Sequence, residues 1–139
     1  MLKLRNRNDK TETFDTIRKK WVLLTEEEKV RQFFTGYLIN ELKIPPSHIS
    51  IERQIELHGL KKRYDIVVFN KEGKPYMVIE CKASHIRLTQ EVLTQVGRYN
   101  KTLKAEIIGV TNGRDSKFFK IDFDTDKITI IENGLAFTS

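Results

Sequence analysis

Tyr76-Met77-Val78-Ile79-Glu80-Cys81-Lys82 runs from an apolar stretch straight into an acid, a thiol and a base. A run this short and this apolar reads as a buried strand. Side chains alternate along a strand, so Glu80 and Lys82 share one face. Cys81 then packs with Ile79 and Met77 on the other. A second apolar run, Asp65-Ile66-Val67-Val68-Phe69, lies just upstream and opens on an acid. Between the two, Lys71-Glu72-Gly73-Lys74-Pro75 is rich in turn formers and folds the later strand back beside the earlier one. Asp65 is thereby brought near Glu80 and Lys82. Charges inside such strands need a partner or a metal. Two carboxylates and an ammonium converging at a strand end make a hard-cation site with a lysine beside it, the layout of a Mg2+-dependent phosphodiesterase. On an edge strand the same Glu-x-Lys triplet would be a solvated pair. The apolar context and the preceding Asp65 weigh against that, because buried ionisable groups cluster at functional sites.

Outward from this pair the chain alternates helical and extended patterns. Thr25 precedes Glu26-Glu27-Glu28, a helix cap followed by an acidic first turn. A helix runs on to about Leu42, with Val30, Phe33, Phe34, Tyr37, Leu38 and Leu42 at helical spacing, and Pro45-Pro46 stops it. Phe14 to Leu24 alternates loosely enough for a short strand. Ile49 to Leu57 reads as a strand, and His58-Gly59 turns it. Leu88 to Leu103 is a second amphipathic helix capped by Thr89, and Gly97 within it lets the helix approach the sheet closely. Ala105 to Thr111 is a buried strand ending at the Asn112-Gly113 turn. Lys117 to Phe123 and Lys127 to Glu132 form a terminal hairpin. The order α-β-β-β-α-β-β-β predicts an α/β fold: an α+β mixed sheet with helices against its faces.

The length of 139 residues, 39% of them hydrophobic, suits a single domain spanning 1–139 with one core. Lys and Arg number 25 against 19 Asp and Glu, for a net charge of +6. That balance suits a polyanionic partner, though it also serves solubility alone. Lys3, Arg5, Arg7 and Lys10 suggest a basic N-terminal arm over 1–13, flexible or merely solvated. The lone cysteine excludes an internal disulfide and fits a reducing compartment. No apolar stretch approaches the ~20 residues of a membrane span. The N-terminus lacks the apolar core of a signal peptide. These features place the protein in the cytoplasm with no membrane partner. His48, His58 and His85 have no metal-ligand spacing.

The chain resembles the PD-(D/E)xK nuclease superfamily, and within it the N-terminal nuclease domain of type I restriction enzyme R subunits. It looks most like small stand-alone proteins carrying only that domain. The residues that carry the likeness are Glu27-Glu28-Lys29-Val30-Arg31-Gln32, Lys62-Arg63-Tyr64-Asp65-Ile66-Val67-Val68, Glu80-Cys81-Lys82-Ala83, Gln95 with Tyr99, and Val110-Thr111-Asn112-Gly113. Glu26 and Ser84 stand where that pattern has proline. The resemblance implies a restriction-endonuclease-like αβββαβ core with a terminal β-hairpin. It implies a Mg2+-dependent deoxyribonuclease of a restriction system, most simply an endonuclease, with Mn2+ able to substitute. Asp65 and Glu80 would hold the metal with the backbone carbonyl of Cys81, and Lys82 would act on the attacking water or the phosphate. Gln95 and Tyr99, stacked at i and i+4, would lie close to the metal site. Glu27 borders the buried stripe of the first helix and is the better candidate there than Glu28, which points about 100° away. The glutamates could equally do no more than favour the helix N-terminus. Type I R subunits also carry an ATP-driven DNA translocase, whereas no Gly-x-x-x-x-Gly-Lys-Ser/Thr loop occurs here. Cutting would then need no ATP, or a helicase or translocase partner. DNA is the expected substrate, RNA is not separated from it, and a homodimer would supply one site per strand. A non-catalytic nucleic-acid-binding or docking subunit is the rival reading.

Overall fold

The computed structural model describes residues 2–57 and 59–132, without the side chains of Ile55, Leu57, Leu60, Tyr99, Lys101 and Thr102. An antiparallel meander comes first: β1 (Leu4–Arg7), β2 (Lys10–Asp15) and β3 (Lys20–Leu23). The helix α1 (Glu26–Asn40) follows, then a 3-10 turn at Pro46–His48. A long hairpin, β4 (Ile49–Leu57) and β5 (Leu60–Phe69), leads to β6 (Pro75–Cys81). The second helix, α2 (Gln90–Leu103), crosses to β7 (Ile107–Thr111). The chain then forms β8 (Ser116–Asp122) and β9 (Lys127–Ile130).

The strands from β4 onward make one sheet in sequence order, β4-β5-β6-β7-β8-β9. Only β6 and β7 pair in parallel, with Glu80 beside Val110 and Cys81 beside Thr111. A parallel pair needs a long crossover, and α2 supplies it. This is the mixed α/β sheet expected, with the restriction-endonuclease-like order αβββαβ and the terminal hairpin β8–β9.

The two faces carry separate cores. Under α1 lie Ile49, Ile51, Ile66, Val68, Met77, Ile79 and Cys81 with Val30 and Leu38. Under α2 lie Tyr64, Val67, Val78, Ala105 and Ile108. As β6 is covered on both faces, each of its apolar side chains contributes ~1.5–3 kcal/mol of burial. Thr25 caps α1 by accepting the Glu28 N–H at 3.0 Å. Thr89 caps α2 through the Val92 N–H at 3.4 Å.

Four expectations need correction. The basic arm is ordered as β1 and β2, and the single strand expected over Phe14 to Leu24 is instead the end of β2, a turn and the antiparallel β3, because Phe14 and Trp21 pack edge to face and Arg5 lies over the Trp21 ring at 4.3 Å. The buried face of α1 is also more polar than its apolar spacing implied. Glu28, Arg31 and Thr35 are buried beside Val30 and Leu38, while Phe33 and Tyr37 are exposed. Finally, Gly97 makes no close approach, since a Cβ there would meet nothing within 4 Å. At that point α2 stands off the β8–β9 side of the sheet and leaves an apolar groove of about 650 Å³. The turn residue His58 lies outside the described residues.

Candidate active site

The site begins where β5 parts from β6. Their ladder ends at Ile66 opposite Ile79, so the next N–H of β6, that of Cys81, has lost its strand partner. The Asp65 side chain takes its place, accepting that N–H on Oδ2 at 2.8 Å. A buried donor must be satisfied, and a carboxylate does so with a charge-assisted bond. Asp65 is thereby fixed beside Glu80. One residue further, the Lys82 N–H donates to the Thr111 carbonyl at 2.8 Å and holds the strand end in place. Lys82 Nζ stands 3.6 Å from Glu80 Oε1, with the two side chains 29% and 14% exposed.

The electrostatics of the pair are those of a donor set short of positive charge. Burial and the neighbouring Glu80 push Asp65 up to about 7, against the opposing pull of the Cys81 N–H. Burial also raises Glu80, against the attraction of Lys62 and Lys82. Glu27, at the N-terminus of α1, raises both carboxylates, so it lies within electrostatic reach of the pair. Burial drives the Cys81 thiol far up, which leaves it an inert core group. Among the described residues no three acidic, His or Cys side chains close into a ready cage. Mg2+ does not require one, since it is bound through one or two carboxylates and keeps several waters. Two desolvated carboxylates, with Glu80 raising Asp65, fit such a cation.

Glu28 is committed elsewhere. It accepts from Arg31 Nε at 2.8 Å and from Arg18 at 3.0 Å, inside a network that also takes in Asp15 and Glu52. Contrary to expectation it is Glu28, not Glu27, that packs on the buried face of α1, and Glu27 is exposed; of the two, only Glu27 lies outside this network. Gln95 is exposed on α2, and its side chain shows no hydrogen bond among the described residues. The side chain of Tyr99 lies outside the described residues.

Three residues at the site were not singled out from the sequence. Lys62 draws Glu80 downward through its charge, as Lys82 does. Arg31, 2% exposed, draws Asp65 downward. Glu52 holds a φ of 52° in the middle of β4, opposite the point where Asp65 leaves the ladder. A non-glycine residue with positive φ inside a strand stores strain and commonly marks a functional site. The faces switch at the same point: Tyr64 packs under α2, yet Ile66, two residues on, packs under α1. Lys62 had a signal in its position within Lys62-Arg63-x-Asp65. Glu52 had none, because nothing in an alternating strand announces a reversal.

The fold is of the restriction-endonuclease-like class. Residues 26–133 match the family described as type I restriction enzyme R protein N terminus (HSDR_N), and the chain belongs to that family. The meander β1–β3 precedes the matched range. A solved fragment assigned to an HsdR subunit of a type I restriction enzyme from Vibrio vulnificus YJ016 has a similar fold, with a TM-score of 0.52 at 21% identity. The alignment covers 78% of this chain and 23% of that one, so the chain spans under a quarter of its length. No curated protein matches the chain. Among the described residues no helix is long and apolar enough to cross a membrane.

Proposed function

We propose that the chain is a Mg2+-dependent deoxyribonuclease domain of a restriction system, cutting DNA phosphodiester bonds internally. The observation that carries this reading is the half-buried juxtaposition of Asp65 and Glu80 beside Lys82. Asp65 and Glu80 would hold the cation, with the Cys81 carbonyl on the same strand end as a further oxygen donor. A divalent ion bound there supplies charge neutralisation at the phosphate and a more acidic water. Lys82, 3.6 Å from Glu80, would donate to a phosphate oxygen or orient the attacking water. Lys62 adds a second positive charge on the Glu80 side. Glu27 adds acidity from α1, in keeping with a metal-binding rather than a phosphate-binding floor. As a member of the R protein N-terminal family, the chain would act beside a subunit that carries an ATP-driven motor.

The test is incubation of the purified chain with supercoiled, linear and single-stranded DNA in Mg2+, Mn2+, Ca2+ or EDTA. Nicking or cutting in Mg2+ and Mn2+, and none in Ca2+ or EDTA, is the expected result. Asp65→Ala and Glu80→Ala preparations that cut as fast as wild type would assign the activity to a contaminant. Folded protein that binds DNA and never cuts it, with or without an added motor subunit, would favour the non-catalytic docking reading.

A further inference from the structure

The hairpin β4–β5 outruns the rest of its sheet. Pairing to β6 stops at Ile66, but β4 and β5 stay paired through Arg53 with Tyr64, Gln54 with Arg63, Ile55 with Lys62 and Glu56 with Lys61, as far as Leu57 with Leu60. Beyond Asp65 the strands therefore run on as a two-stranded ribbon. Between residues 53 and 63 this ribbon bears Arg53, Lys61, Lys62 and Arg63 against the single carboxylate of Glu56. Arg53, Lys61 and Arg63 are exposed. Among the described residues Arg63 pairs with Glu52, at 3.7 Å, and its side chain is 63% exposed there. The base of the ribbon is clamped, since Arg18 Nη1 donates to Glu52 Oε2 at 3.0 Å exactly where the backbone reverses.

We infer that this ribbon enters the major groove of B-form duplex DNA. Its cations meet the phosphates lining the groove, and the Asp65–Glu80 pair at its base sits at the groove lip. The inference rests on the nuclease reading and names its substrate as duplex DNA. Charge complementarity is the first support, because beyond Tyr64, which packs under α2, the surplus of cations is concentrated on the stretch of hairpin that outruns β6. Geometry is the second. From Ile66 to Leu60 the ribbon reaches about 20 Å at ~3.3 Å per residue. The B-form major groove is about 12 Å wide and 8.5 Å deep, and it admits a two-stranded β-ribbon. A ribbon of that reach fills the groove while its base stays outside, level with the backbone, where a phosphodiester-cutting site must be. The major groove of A-form RNA is deep and too narrow for side chains to read, so duplex RNA is excluded from this mode.

The experiment is fluorescence anisotropy with a short labelled DNA duplex in EDTA, across a salt series, on the full chain. Lys61→Glu/Arg63→Glu should weaken binding about tenfold or more and flatten the slope of log K against log salt by about 2. Lys61→Gln/Arg63→Gln, which adds no repulsion with Glu56, should move the same way by less. The control is Lys71→Glu/Lys74→Glu, an identical charge change in the β5–β6 turn at the other end of β5. It should stay within about twofold of wild type, the scale of a general field effect. Duplex RNA of the same sequence should bind at least ~10-fold more weakly than the DNA if groove fit decides. Equal loss in the ribbon and turn variants, an unaffected ribbon variant, or equal affinity for the two duplexes would each overturn the inference. As EDTA prevents turnover, a protein that binds this way yet never cuts supports the ribbon and counts against the nuclease reading alone.

Discussion

At the scale of single residues, the site depends on one side chain standing in for a backbone. Asp65 caps the Cys81 N–H that β5 abandons, and so it arrives beside Glu80 already oriented. Lys82 has a different job. It lies 3.6 Å from Glu80 but is not an oxygen donor, so removing it takes away a charge without removing a ligand. Lys82→Ala should therefore abolish DNA cutting, by ~10²-fold or more for a lost electrostatic group. Its calorimetric affinity for Mn2+ should stay near that of wild type. A parallel collapse of Mn2+ binding would show that Lys82 instead props up the site. Glu27 gives a softer effect. As it raises both carboxylates from outside the ion network, Glu27→Gln should ease their ionisation and shift the acid limb of the pH–rate profile to lower pH. An unmoved acid limb would remove Glu27 from the site. Asp65, Glu80 and Lys82 were legible because ionisable residues inside apolar strands have few structural excuses. Arg31 and Glu52 were not, since their meaning depends on partners in β2–β3 and β5 that no local pattern names.

At the scale of elements, strand and helix positions from α1 onward followed from periodicity, while the meander β1–β3 did not. Expected and observed ends agree closely for β4, α2 and β8. The failures share a cause. The face of α1 that packs inward holds Glu28 and Arg31 because they satisfy one another, and an apolar wheel cannot anticipate a buried ion network. The basic N-terminus forms β1–β2 because its cations lie over aromatic rings, which composition alone reads as a solvated arm. Two glycines make the point quantitatively. Gly97 in α2 faces open space, so Gly97→Ala should stabilise the protein by ~1 kcal/mol from helix propensity alone. Gly109 in β7 is the opposite case. A Cβ there would fall 2.5 Å from the Phe118 ring and 2.6 Å from Ile79 Cδ1. Gly109→Ala should cost ~1–3 kcal/mol by overpacking. Urea unfolding of the two variants would check both signs. A destabilised Gly97→Ala would mean that α2 packs more closely than described.

At the scale of the whole molecule, two ionic clusters oppose one another in their dependence on pH. In the N-terminal cluster Asp15 is lowered, because hydrogen bonds from Arg18 and the charge of Arg31 outweigh its burial. A lowered carboxylate gives stability that is present above its unfolded value of about 3.9 and is lost as pH falls through its folded value. This cluster ties β2 to α1 and to β4, so acid should loosen the meander first. At the Asp65–Glu80 pair the sign reverses. Asp65 is raised to about 7, so the folded state keeps a proton that the unfolded chain releases near pH 4. Its metal-free stability must fall as pH rises from ~4 to ~7 and level off above. Asp65→Asn keeps an oxygen for the Cys81 N–H and removes the charge. Without metal, the melting temperature of that variant should match wild type near pH 4.5 and exceed it by about 3 °C or more at pH 8. Saturating Mn2+ should close or reverse the gap at pH 8, since a bound cation stabilises only the protein that keeps both carboxylates. Melting curves that stay parallel from pH 4.5 to 8, with no response to Mn2+, would mean that the pair is neither strained by its own charge nor built for a cation.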